Sequence, residues 1–174
     1  MSKRWLHSDP ETIQEIVREG EAYLAGQLTL ATSADQRATI LGGVYVAAGT
    51  AIMAGLISAI ASGGATIGIV IGALIAAGLF LVGAGLCIST ALPAKFFLPG
   101  TPPEHWYEDL DDRKELHEAL GEQAENYQSE IQANSNLLKR NAPRFLAGAI
   151  CGIAAPVAGI LAWFLASVTW PQPT

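Results

Sequence analysis

The chain has 174 residues, of which 51% are hydrophobic, and a formal net charge of −6. A mean hydropathy of +0.33 at this length indicates one compact membrane domain and excludes a string of soluble globular domains. The two cysteines, Cys87 and Cys151, both fall in apolar runs, which excludes a disulfide framework.

The residues before position 38 predict an amphipathic helix. Ser8-Asp9-Pro10-Glu11 has a capping side chain, a proline at a first-turn position and an acid at the positive end of the helix dipole. Apolar residues then recur at helical spacing: Ile13, Ile16, Val17, Leu24 and Leu28. The helix either continues into the first span or kinks near Ser33 and lies on the membrane, where its glutamates would be repelled by anionic lipids.

Residues 38–94 contain no Asp, Glu, Lys, Arg or His. A membrane-spanning helix needs about 20 apolar residues, so this run predicts two spans, 38–61 and 65–92. Ser62-Gly63-Gly64 is the expected turn, because adjacent glycines weaken a helix and allow positive φ. A third uncharged run, 145–170, predicts a third span. A soluble bundle with very apolar core helices is the alternative, and the lack of a polar stripe in all three segments disfavours it.

Small residues recur every four positions within the predicted spans, and such strips let helix backbones approach closely in lipid. The strips are Ala47, Ala51, Gly55 and Ala59; Gly64, Gly68, Gly72 and Ala76; and Gly148 with Gly152. They pack either within one chain or between copies. Three spans can hardly bury three strips, which favours a homo-oligomer, a tetramer being one such assembly.

No catalytic constellation is present in the sequence. The spans carry no ionisable residue, which argues against a transporter or an intramembrane protease. His7, His105 and His117 lack metal-ligand spacing, and no nucleophile motif or phosphate loop occurs. We therefore expect no enzyme activity, no cofactor and no metal.

The segment from Lys95 to Arg144 predicts a helical stalk between the second and third spans. Thr101 and Glu104 have the spacing of a capping box, so a helix is expected from Pro102 to about Arg140. Because the chain must return to the membrane, a break is expected at Gly121 or at residues 134–136. A heptad seam from Trp106 to Leu138 would pack on the first helix of the same chain, the favoured arrangement, or on neighbouring copies.

All ten Lys and Arg lie before the first span or between the second and third. The positive-inside rule then predicts a cytoplasmic N-terminus and an external C-terminus. The cations near the spans serve as interfacial anchors or, brought together by several copies, form a ring for an anionic nucleotide or oligonucleotide. These candidates are Arg37, Lys95, Lys139, Arg140 and Arg144.

The expected organisation is an amphipathic helix (1–37), a two-span hairpin (38–94), a cytoplasmic stalk (95–144), and a third span with a short tail (145–174). The entry Ser-Ala-Asp-Gln-Arg-Ala-Thr at Ser33 to Thr39 resembles the polar-basic motif before the first span of Pycsar and CBASS membrane effectors. The layout also resembles the channel-like effector of the Hailong anti-phage system, which works beside a nucleotidyltransferase.

The resemblance implies a homo-oligomeric, channel-like effector of the bacterial inner membrane that depolarises the cell in abortive infection. Its ligand would be a nucleotide or short nucleic acid from a nucleotidyltransferase encoded nearby. The chain departs from the nucleotide-gated effectors because it lacks a soluble ligand-binding domain, which favours a ligand shared by several copies. Two other classes stay open: a phage-type holin, and a structural membrane adaptor that recruits a soluble partner.

Overall fold

A computed structural model describes residues 9–169. They form helices α1 (Pro10–Ala61), α2 (Ile67–Thr90), α3 (Tyr107–Asp111) and α4 (Leu116–Thr169), with a 3-10 turn at Pro103–Trp106 and no strand within the described range. By length and composition, α1, α2 and α4 are each able to cross a membrane. The prediction of an all-α fold with three spans is confirmed.

The described residues divide into two compact units. One, the polar unit, consists of residues 9–33 and 94–139. The other, the apolar unit, consists of residues 34–93 and 140–169. Helices α1 and α4 are each continuous through both sets of residues.

Helix α1 begins at Pro10, where the sequence predicts a helix start; Ser8 of that motif lies outside the described residues. The helix runs for 52 residues without a break at Ser33, so the continuous alternative holds. The hydroxyls of Thr29 and Thr32 donate to the carbonyls of Ala25 and Leu28, 3.0 and 2.9 Å away. These polar side chains are therefore satisfied within the helix.

The turn between α1 and α2 lies where the glycine pair predicts it. Gly63 has φ 71°, and the amides of Gly63 and Gly64 donate to the carbonyls of Ile60 and Ala59 at 3.1 and 3.0 Å. This pair of bonds closes the end of α1 as a Schellman motif. Thr66 then caps α2 by accepting from the Ile69 amide at 3.3 Å.

The predicted course of the stalk is wrong in two respects. Thr101 makes no cap, because Pro102 occupies the N-cap position of the 3-10 turn without a side-chain cap bond. The break lies at residues 112–115, whereas Gly121 and residues 134–136 are inside the unbroken α4.

A second Schellman motif produces this break. Arg113 takes the left-handed conformation, with φ 51°, in the place that glycine usually occupies. The Arg113 amide donates to Leu110 at 3.2 Å, and the Lys114 amide donates to Asp109 at 2.9 Å. Local backbone hydrogen bonds therefore end α3 at Asp111, and no glycine is needed.

In the polar unit, α1 and α4 lie side by side in the same direction. Gly20 faces Tyr127, whose hydroxyl donates to a Glu21 carboxylate oxygen at 2.8 Å. Seven residues after Gly20 on α1, Gln27 donates to Ser135 Oγ at 2.9 Å. Tyr127 and Ile131 of the predicted seam contact α1 of the same chain, the arrangement that the sequence favours, whereas Leu110 and Arg113 of that seam are exposed and precede α4.

In the apolar unit, α2 runs against both α1 and α4 at short range. A Cβ added at Gly72 would lie 2.6 Å from the Gly159 carbonyl oxygen, and one added at Gly83 would lie 2.9 Å from that of Gly148. Only glycine permits such backbone contact. Buried Tyr45 of α1 packs with its ring centroid 5.6 Å from that of Phe80.

Candidate functional site

The five candidate cations are all exposed. Lys95 and Lys139 belong to the polar unit, and Arg37, Arg140 and Arg144 to the apolar unit. Lys95 Nζ lies 4.9 Å from the centroid of the Phe97 ring, a cation–π contact. None of the five forms an ion pair with another described residue. Their charges are therefore available to an anion, although the structure does not enclose them in a pocket.

A side-chain amide holds the chain segment that leads out of α2. Asn134, 1% exposed on α4, donates through Nδ2 to the Phe97 carbonyl and accepts through Oδ1 from the Phe97 amide, both at 3.0 Å. Within the apolar unit, Asn141 Nδ2 similarly donates to the Thr90 carbonyl at 3.1 Å. Sequence reasoning treated Asn134 as a helix breaker. Its place in the heptad seam is the signal that could have identified it as an inward-facing polar residue.

Further buried polar groups lie between α1 and α4 of the polar unit. Gln27 Nε2 donates to the Ile131 carbonyl at 3.2 Å as well as to Ser135, while its Oε1 has no partner among the described residues. Burial raises the pKa of the Tyr127 phenol; a hydrogen bond with Thr101 opposes this rise, the Glu21 carboxylate adds to it, and Gln123 lowers the pKa slightly. These groups connect the two helices by hydrogen bonds.

Two of the three small-residue strips pack within the chain. Gly68 and Gly72 face Trp163 and its neighbours on α4, and Ala76 contacts Gly159. Gly148 faces Gly83 and Cys87, and Gly152 faces the Tyr45 ring. Gly64 differs, because the atoms near it belong to its own turn.

The remaining strip, on α1, faces outward. Ala47, Ala51 and Gly55 are exposed, Ala59 is half-buried, and nothing lies within 4 Å of a Cβ added at Gly55. The glycines of α1 that do pack within the apolar unit are Gly42, against Ile88, and Gly49, against Ala77 and Phe80. Sequence reasoning did not identify them, although their seven-residue spacing around Tyr45 is a visible signal.

The exposed surface of α1 in the apolar unit contains a strip of mainly small residues beside bulky ones, Ile40, Val44, Val46 and Ile60. On α1, exposed residues alternate four and three apart to form what we call the α1 seam: Gly43, Ala47, Thr50, Ala54, Ile57 and Ala61. The exposed face of α4 carries bulky residues instead: Leu146, Ile150, Ile153, Val157, Ile160, Leu161, Phe164, Leu165 and Val168. Bulky aliphatic side chains suit lipid, whereas small side chains at heptad spacing suit another helix.

The apolar unit also contains a cavity of about 400 Å³ near Gly72, Pro156 and Trp163. Ile52, Ile69, Ala73, Ala76, Gly159 and Ile160 complete its lining. No charged side chain reaches it, so it offers only apolar contact. None of the five candidate cations lines it.

The described residues offer no metal site. No group of three or more His, Cys, Asp or Glu comes together in the range 9–169. His105 is exposed, and His117 Nδ1 lies 3.2 Å from Glu115. His7 lies outside the described residues.

Comparison with protein-family models, with curated proteins and with solved structures finds no match to this chain.

Proposed function

We propose that the protein is a homo-oligomeric, channel-like effector of the bacterial inner membrane, with its N-terminus in the cytoplasm. It opens or disrupts the membrane when an anionic nucleotide or oligonucleotide binds the exposed cations of several copies. A partner nucleotidyltransferase supplies that ligand in anti-phage defence. The observation that carries the proposal is the α1 seam.

The α1 seam supports self-association. Five of its six residues are Gly, Ala or Thr and the sixth is Ile57, so another helix can approach closely over most of its length. The packed face of the same helix, with Gly42, Tyr45 and Gly49, is already used within the chain. In lipid, helices associate through close packing, and copies inserted in the same direction present identical seams in parallel. The four-three spacing of the seam is that of a left-handed helix pair.

The conducting path in this proposal is lined by hydroxyl side chains of α1. Thr39, Thr50 and Ser58 are exposed hydroxyl residues of α1 on or beside the seam. Thr50 Oγ1 donates to the Val46 carbonyl at 2.8 Å, so its lone pairs can still accept from water. Hydroxyls suit a weakly selective pore in a stretch, 38–94, that has no Asp, Glu, Lys, Arg or His.

Opening is triggered when an anionic ligand binds exposed cations of the protein. Arg37, Lys95, Lys139, Arg140 and Arg144 are exposed and have no carboxylate partner among the described residues. Repeated around an axis, such cations attract a polyanion, and its binding shifts the population between closed and open assemblies. The similarity of Ser33 to Thr39 to the entry motif of membrane effectors of anti-phage defence supports this assignment.

The assembly is tested by disulfide cross-linking in membranes, in a background with Cys87→Ala and Cys151→Ala. We expect Ala47→Cys, in the α1 seam, to give covalent dimers on oxidation. Ile153→Cys is the matched control, because Ile153 is 73% exposed on the bulky face of α4. Equal cross-linking at both positions, or at Ile153 alone, would refute the α1 seam as the interface.

The activity is tested with a voltage-sensitive dye in cells that express the chain alone or with its adjacent genes, with and without phage. We expect depolarisation that depends on the neighbours or on infection. Lys139→Gln with Arg140→Gln should reduce triggering at least tenfold while cross-linking through Ala47→Cys persists. Arg18→Gln, which removes a cation already paired with Glu15, is the control and should leave triggering unchanged.

A second candidate is a membrane adaptor that recruits a soluble protein through the segment between α2 and α4. The exposed apolar residues of α3 favour it. Absence of depolarisation under every condition would leave this function as the better account, whereas depolarisation by the chain alone, without neighbours or phage, would indicate a holin.

A further inference from the structure

The segment around α3 exposes large apolar side chains in the polar unit. Tyr107 is 61% exposed and Leu110 is 71% exposed, and a separation of three residues places them on one face of α3. Leu116, at the start of α4, is 67% exposed. Among the described residues, nothing covers these three side chains.

The same segment is strongly acidic. Seven carboxylates and two cations lie between Glu104 and Glu118. Four of the acids, Glu104, Glu108, Asp111 and Asp112, are exposed and form no ion pair with a described residue. We call Tyr107, Leu110 and Leu116 together with these four acids the α3 surface.

The α3 surface is held in place by Lys114. The Lys114 ammonium lies 2.8 Å from Asp109 on α3 and 2.7 Å from Glu122 on α4, and these two carboxylates raise the pKa of Lys114. With the Schellman motif at Arg113, this bridge fixes α3 against the start of α4. The surface is therefore presented in a defined geometry, which reduces the entropy lost on binding a partner.

We propose that the α3 surface binds a basic, amphipathic segment of a soluble protein. The apolar side chains of that segment cover Tyr107 and Leu110, and its Lys or Arg residues face the four free acids. Apolar anchors surrounded by charges of one sign are complementary to a groove or helix with the opposite sign at its rim. The proposal is independent of channel activity, because a gated channel and an adaptor can both use such a surface.

A second copy of the chain supplies too few partner cations, because Arg18 is paired with Glu15 and Arg113 alone lies at the height of the four free acids. Of the other two exposed cations of the polar unit, Lys139 lies 17 residues beyond Glu122 on α4, which is about 25 Å along the helix. Lys95 lies beside Phe97, which is held by Asn134, twelve residues or about 18 Å beyond Glu122. In copies related by an axis along the membrane normal, a given residue lies at the same height in every copy. Lys139 and Lys95 of one copy therefore do not reach the α3 surface of another. Anionic lipid is excluded as the occupant by charge repulsion.

The test is fluorescence anisotropy with the full-length protein in phosphatidylcholine nanodiscs. The probe is a labelled 14-residue peptide of leucine and lysine with amphipathic helical spacing, and a peptide with glutamate in place of lysine is the charge control. Empty nanodiscs give the background. We expect saturable binding of the lysine peptide alone, weakened as salt shortens the screening length.

Two surface variants and one matched control decide the assignment. Tyr107→Ala with Leu110→Ala, and Asp111→Asn with Asp112→Asn, should each weaken binding at least tenfold. Tyr23→Ala with Leu30→Ala removes apolar side chains of similar exposure, 57% and 65%, elsewhere in the polar unit and should change binding less than twofold. Circular dichroism checks that every variant keeps the native helix content.

Three results would overturn the proposal. Equal binding by all variants places the peptide elsewhere, and weakening by the Asp111 and Asp112 changes alone shows diffuse charge attraction without a docking surface. The third involves residues 2–8, which include Lys3-Arg4-Trp5-Leu6 and have the same chemistry as the probe. A tenfold gain in affinity on their deletion would assign the surface to the chain's own N-terminal segment instead of a soluble partner.

Discussion

The polar and apolar units hold their helices together by different interactions. In the polar unit, side chains bridge α1 and α4: Tyr127 bonds Glu21, and Gln27 bonds Ser135. In the apolar unit, α2 meets α4 almost backbone to backbone, at Gly72 with Gly159 and Gly83 with Gly148. The difference follows from the surroundings that we propose, because helices in lipid gain nothing from hiding apolar surface and associate through close packing. In water, apolar burial supplies affinity and satisfied polar groups supply specificity.

The largest effect that we expect in this comparison comes from Asn134→Ala in the polar unit. The substitution removes both hydrogen bonds to Phe97 and leaves the backbone amide and carbonyl of Phe97 without these partners. The free energy of unfolding should fall by about 2–4 kcal/mol. Chemical denaturation in detergent, followed by circular dichroism, measures the loss. Asn136→Ala is the control, because Asn136 is exposed and bonds only Gln132, and it should cost less than about 0.5 kcal/mol. Equal losses for the two variants would show that Asn134 does not hold this segment.

A smaller loss is expected from Gly72→Ala in the apolar unit. The new Cβ would lie 2.6 Å from the Gly159 carbonyl oxygen and 2.9 Å from Trp163 Cβ, so the helices must separate, at about 1–3 kcal/mol. Thermal unfolding in detergent detects this change. Gly78→Ala on the same helix, with nothing within 4 Å of the added Cβ, should be neutral or slightly stabilising. If Gly72→Ala is equally neutral, close backbone packing does not hold this unit together.

The smallest effect is a pH-dependent gain from Glu130→Gln in the polar unit. Burial raises the pKa of the Glu130 carboxyl above 4.5, against a lowering contribution from His105, so its charge opposes folding at neutral pH. Replacement by Gln should raise the free energy of unfolding at pH 7 by less than about 1 kcal/mol, because the group is partly solvated.

The stability gained by Glu130→Gln should depend on pH. As the pH falls through the raised folded pKa toward 4.5, native Glu130 takes up a proton in the folded state first, so the native protein recovers the difference. The advantage of Glu130→Gln should therefore shrink over that window and vanish below it. Unfolding midpoints at several pH values measure the profile, with exposed Glu19→Gln as the control; a constant advantage at every pH would contradict the role of charge.

Local signals predicted much of the fold. The start of α1 at Pro10 and the turn at Gly63 depend on residues within four positions of each other, and the structure has both. The break before α4 was mispredicted because it depends on a left-handed Arg113 and on Lys114 joining Asp109 to Glu122. A residue type that rarely takes positive φ gives no warning of such a turn.

The sequence by itself determined that three segments are apolar enough to span a membrane, because hydrophobic length is a property of the chain alone. It also determined that these segments carry strips of small residues. Only the tertiary structure decided which strips pack within the chain: α1 has one small-residue face at Gly42 and Gly49 and another at Gly43 and Ala47, and helical spacing cannot rank them. The physical reason is that close packing depends on the partner surface. Tyr45 lies against Gly152 on α4, and that contact turns Gly42 and Gly49 inward and the α1 seam outward.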